Sequence, residues 1–222
     1  MRNKSSFFYR HIIKMWPQPG DIVGPFTLDY LLENGTTNNS LVFLAHMEGS
    51  CGKCAVKAIR TDVVGFQSAQ DEFDFSMSIS HPNIINYFPN FISEDRFPNF
   101  RFIGMKYYYY GDLFTSYESH HQWEERQVKV IMHKLFSAVG YLHGMGICHR
   151  DIKLENILID DLDTYEDLVL ADLGYCCYVD SEEMNCRKGT LYTAAPEILL
   201  EKPCMYFSIY FRQKIFNIII FV

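Results

Sequence analysis

The sequence predicts an α+β fold, with a small antiparallel sheet and one helix first and a mainly helical part after it. Three observations predict it. Between Phe26 and Ile103, short runs rich in β-branched and aromatic residues alternate with turn residues, and one stretch has helical spacing. From Glu124 to His143, the apolar residues Val128, Ile131, Met132, Leu135, Val139 and Leu142 recur at the three- and four-residue intervals of an amphipathic helix. Two short apolar runs, Ile157–Ile159 and Leu168–Ala171, then flank an acidic turn.

Each element follows from its residues. Residues 1–20 are basic and aromatic with no acid before Asp21, and no apolar face repeats, so they read as an unstructured leader. Phe26–Leu32 and Leu41–His46 read as a hairpin about the polar Glu33–Ser40 turn, and Lys53–Ile59 as a third strand. Ser68–Ile79 carries Phe73 and Met77 at helical spacing, continued by Ser80 just beyond it, and His81-Pro82 ends it. Phe102–Met105 is an apolar strand, and after the Tyr107–Tyr110 run a helix starts at Gly111-Asp112-Leu113-Phe114. The acidic Asp160–Asp167 segment reads as a solvated hairpin tip.

Composition narrows the classes. The chain has 222 residues, 48% hydrophobic and 21% charged, as in a soluble globular protein, with enough apolar residues to bury a core. Its net charge of −7 offers no electrostatic footprint for nucleic acid. Seven irregularly spaced cysteines without a secretory signal fit reduced thiols and a cytoplasmic location. Cys51-Gly-Lys-Cys54 has redox spacing, but Gly52 makes a turn ahead of an apolar strand the simpler reading. The histidines do not cluster with cysteines at zinc spacing. Ile215–Val222 is too short to span a bilayer, and Arg212-Gln213-Lys214 separates it from the apolar residues before it, so no membrane partner is expected.

The chemistry concentrates in four short motifs. They are Ala55-Val56-Lys57, the stretch from His149 and Arg150 through Asp151, Ile152, Lys153, Leu154 and Glu155 to Asn156, Asp172-Leu173-Gly174, and Ala195-Pro196-Glu197. In this order and spacing the sequence resembles the eukaryotic protein kinases of serine/threonine type, most nearly the calmodulin-dependent and AMP-activated group. The resemblance implies a two-lobed fold, with residues 24–106 as the sheet-rich lobe, 107–205 as an incomplete helical lobe and 206–222 as an atypical apolar tail. It also implies ATP and Mg²⁺ as cofactors and proteins bearing Ser or Thr as substrates.

Phosphoryl transfer consists mainly of positioning and charge neutralisation, which accounts for the residue types. By resemblance, Lys57 holds the α- and β-phosphates and pairs with Glu72. Asp151 orients the substrate hydroxyl and takes its proton, and Lys153 contacts the γ-phosphate. Asn156 and Asp172 hold the metal, which asks for few protein oxygens. Val42, Ala55 and Leu158 sandwich the adenine, Met105 stands at its back, and Lys106 to Tyr108, Tyr107 included, form the hinge. His149 and Leu173 belong to an apolar stack. Lys153 marks the serine/threonine class, as does Thr190, while Glu155 and Asp112 match positions that receive substrate arginines in a basic context.

Departures from the family accompany the matches. Of the phosphate-covering glycines only Gly35 is present, the Lys57–Glu72 spacing is shorter than usual, and Ser76 stands where a large apolar stack residue is expected. Cys186 occupies the usual phosphorylation position, and no acid follows Glu201. A truncated, catalytically inactive kinase fragment or a pseudokinase-like binding protein is therefore the competing expectation.

Overall fold

The computed structural model describes residues 16–34, 39–92, 94–120, 123–179 and 181. They fall into two compact units, Met1–Phe73 with Asn86–Tyr107, and Asp74–Ile85 with Tyr108–Val222.

The first unit is a six-stranded antiparallel sheet: β1 (Ile22–Val23), β2 (Phe26–Asn34), β3 (Ser40–Met47), β4 (Lys53–Arg60), β5 (Tyr87–Ile92) and β6 (Phe100–Lys106). The strands lie in the order β1-β2-β3-β4-β6-β5. Successive side chains of a strand point to opposite faces. Cys54, Val56 and Ala58 of β4 therefore join Phe26, Leu28, Phe43, Phe97, Phe100 and Phe102 in the core on one face. Ala55, Lys57 and Ile59 face the other way, which puts Lys57 on the side opposite that core. Gly104 is required on β6, because a Cβ there would come within 2.5 Å of the Phe26 ring and 2.8 Å of Phe88.

Residues that the sequence placed in the leader belong to this unit. Trp16 meets Phe100 edge-on at 5.2 Å and lies under the Arg60 guanidinium, and the Gly20 amide donates to the Leu28 carbonyl. Burying an indole against the core outweighs the polar character of its neighbours.

After β4 comes a single helical turn, α1 (Thr61–Val64), and then α2 (Phe66–Ser78). Among the described side chains of α2 the buried ones are Ala69, Glu72 and Ser76, while Met77, which the apolar spacing singled out with Phe73, is 42% exposed. Phe73 and Phe75 are half-buried, and Glu72 is drawn inward by the buried partners described below.

In the second unit, α3 (Leu113–His120) and α4 (Glu125–Gly144) accompany two short antiparallel strand pairs. These are β7 (Ile147–Cys148) with β10 (Cys177–Tyr178), and β8 (Ile157–Ile159) with β9 (Leu168–Leu170). A reciprocal capping box between Glu124 and Gln127 starts α4. Every residue of its expected stripe is buried. Tyr165, inside the acidic turn, is 2% exposed, so that turn is anchored from within. Segment 74–85 belongs here because the Ile85 amide donates to Leu170 and the Leu170 amide to Asn83.

His81 supports that segment. Its Nδ1 accepts the Asn83 amide at 3.1 Å, so the proton sits on Nε2, which reaches Ser137 Oγ at 3.1 Å, and the ring packs on Tyr141 at 5.0 Å. Burial pushes the His81 pKa below its ordinary value of 6.5. A depressed folded value means that the unfolded chain binds protons first, so His81 contributes full stability above pH 6.5 and loses it as pH falls through the folded value. Denaturant midpoints should therefore drop on going from pH 7.5 to pH 5.5. His81→Gln should flatten that part of the pH dependence.

Candidate active site

The loop between β7 and β8 gathers five of the expected residues. Arg150 takes a left-handed conformation at φ 65, and its Nε donates to the Tyr175 carbonyl at 2.6 Å. Non-glycine residues hold this conformation only where the surroundings over-determine it. His149, fully buried, accepts the Asp151 amide on Nδ1 at 3.3 Å and donates from Nε2 to the Ala171 carbonyl at 3.1 Å. Because Nδ1 accepts that amide, the ring proton sits on Nε2, and burial depresses the His149 pKa against the opposite pull of Asp172 and Asp151.

Asp151 is oriented from two sides. Its Oδ2 receives Lys153 Nζ at 2.9 Å and Asn156 Nδ2 at 3.0 Å. The Asp151 and Lys153 side chains are 0% and 3% exposed, so the two opposite charges meet in a nearly solvent-free setting. Asn156 Nδ2 also donates to the Asp151 carbonyl at 2.7 Å, which turns its amide oxygen away from Asp151. The tight three-residue turn Leu154–Asn156 brings these groups together.

Asp172 follows β9 with φ 64, a second left-handed non-glycine residue. The Ala171 amide donates to the Asn156 carbonyl at 2.8 Å, so the backbones carrying Asn156 and Asp172 are hydrogen-bonded neighbours. An amide oxygen and a carboxylate are hard oxygen donors, which fit a hard divalent cation bound largely through phosphate oxygens and water. No cluster of three or more metal-binding side chains occurs among the described residues.

The first unit carries the other half of the expected set. Lys57 on β4 donates from Nζ to Glu72 Oε1 at 2.6 Å, and both residues are buried. The short spacing suffices because Gly65, at φ 87, turns α1 directly into α2 with no longer loop between them. Tyr87 of β5 donates its hydroxyl to the same Glu72 oxygen at 2.5 Å. Sequence reasoning missed Tyr87, since Asn86, Pro89 and Asn90 hide a strand there.

A protein kinase domain model matches residues 32–209. The chain belongs to the protein kinase family. Among curated relatives, a calcium/calmodulin-dependent protein kinase of Emericella nidulans is 33% identical over 157 residues, 69% of this chain and 37% of that protein. A serine/threonine-protein kinase of Drosophila yakuba is 33% identical over 187 residues, 82% of this chain and 24% of that protein. One from Drosophila persimilis is 39% identical over 125 residues, 55% of this chain and 16% of that protein. The chain thus spans well under half the length of the relatives it matches.

Other kinase positions fall as follows. Val42 lies opposite Lys57 in the β3–β4 ladder and is half-buried. Ala55 pairs with Met105 of β6, which in turn pairs with Tyr87, and both Ala55 and Met105 are buried. Tyr107 is half-buried in the first unit, and Leu158 lies half-buried on β8 of the second. Tyr108 has its pKa pushed up to about 12 by burial and by Asp160 and Asp167. The Asp112 carboxylate caps α3, accepting the Thr115 amide at 2.8 Å and its hydroxyl at 2.9 Å. Cys54 donates its thiol to the Ala45 carbonyl at 3.3 Å, and burial raises its pKa to about 11, which argues against a reactive pair with the exposed Cys51. Gly35, Cys186, Thr190, the Ala195-Pro196-Glu197 motif and the apolar tail lie outside the described residues.

Proposed function

We propose that this protein transfers the γ-phosphoryl group of ATP to serine and threonine hydroxyls of proteins. The observation that carries this reading is the buried Asp151 carboxylate, pinned through Oδ2 by both Lys153 and Asn156. A carboxylate fixed in this way can take one defined proton. In the reaction the substrate oxygen forms a bond to the γ-phosphorus, the bond to the β-phosphate oxygen breaks, ADP leaves, and the hydroxyl proton passes to Asp151.

Lys153 stays beside Asp151 and offers its ammonium to the γ-phosphoryl oxygens. Lys57, held by Glu72, supplies a fixed positive charge to the α- and β-phosphates. Asn156 and Asp172 are the residues that would hold Mg²⁺. When bound, that ion neutralises phosphate charge and orients the phosphate chain. The lysine two residues beyond Asp151 and the names of the relatives both support a serine/threonine preference.

Calorimetric titration with ATP tests the nucleotide part. Saturable binding should weaken at least about tenfold when the divalent cation is chelated, and Asp172→Asn should remove most of that dependence. Binding that is absent, or indifferent to Mg²⁺, would contradict the reading.

A further inference from the structure

We propose that Tyr87 is a positioning residue for the nucleotide lysine, acting through the Glu72 carboxylate. The inference rests on the nucleotide role assigned to Lys57 above. Glu72 Oε1 takes two donors, Lys57 Nζ from β4 at 2.6 Å and Tyr87 Oη from β5 at 2.5 Å. These strands are separated in the sheet by β6, so one carboxylate ties α2 to two strands about 10 Å apart.

The packing of α2 shows where this tie acts. A helix normally binds to a sheet by an apolar stripe. Among its described side chains α2 buries Ala69, Glu72 and Ser76 and half-buries Phe73 and Phe75, so a carboxylate sits in the middle of its inward face. A phenol donating to a buried carboxylate is a charge-assisted hydrogen bond, stronger than one between neutral groups. It fixes the rotamer of Glu72, and Glu72 fixes Lys57.

Tyr87→Phe removes the hydroxyl and keeps the ring, which is 5% exposed. The expected result is an Mg·ATP dissociation constant raised about tenfold, the loss of one charge-assisted hydrogen bond. The rate of amine labelling at Lys57, read by mass spectrometry without nucleotide, should rise several-fold, beside a modest fall in melting temperature. In a Glu72→Gln background, Tyr87→Phe should add little to either quantity. Should Tyr87→Phe fail to fold, Tyr87→Leu, which also lacks the hydroxyl, should show the same increase in Lys57 labelling.

Unchanged affinity and labelling, or equal changes with Glu72 intact and with Glu72→Gln, would overturn the inference. A wild-type chain that binds no Mg·ATP would instead sink the proposed function. The labelling rates would still decide the role of Tyr87.

Discussion

Replacing Asp151 by asparagine lowers phosphoryl transfer at least about 100-fold while Mg·ATP affinity stays within about threefold of wild type. The substitution keeps shape and removes the proton acceptor. Asn156 can still donate to the side-chain oxygen, so the loop geometry is largely kept. Lys153, however, loses the counter-charge that accompanies it in a nearly solvent-free site. A fall in melting temperature should therefore accompany the loss of rate. Steady-state kinetics beside a calorimetric titration separate the two effects. Near-normal turnover would remove Asp151 from the role given to it.

The second large effect concerns the scaffold. Phe102→Ala should destabilise the first unit by about 3–5 kcal/mol, as expected for a buried aromatic side chain cut back to a methyl group. Phe102 is fully buried, with ring neighbours Phe97 at 5.8 Å and Phe100 at 6.3 Å. These rings are themselves inside the core and cannot collapse into the space. Val63→Ala, at a position 51% exposed, should cost well under 1 kcal/mol. Denaturant midpoints of the two variants measure the contrast, and equal shifts would mean that the aromatic core is not what holds the sheet.

The strands that the sequence revealed are those with sustained alternation or apolar runs, such as β4 and β6, and the long stripe of α4 was equally plain. Two-residue strands such as β7 and β10 carry too little pattern to be seen, and β5 is interrupted by Pro89. The face of α2 was misread because burial there follows a polar contact, Glu72 with Lys57 and Tyr87, and periodicity registers only apolar residues. Site residues were legible where motif spacing is fixed, from His149 to Asn156. Tyr87 was not, since its role depends on a sheet neighbour that no local spacing shows.

The most direct test of the account is transfer of label from γ-labelled ATP, with Mg²⁺, to three peptides identical except for a central Ser, Thr or Tyr. The account predicts label on the Ser and Thr peptides, with transfer to Tyr at least about tenfold slower and all transfer lost on chelating the metal. Label on the Tyr peptide at a comparable rate, or no transfer to any of the three, would contradict it.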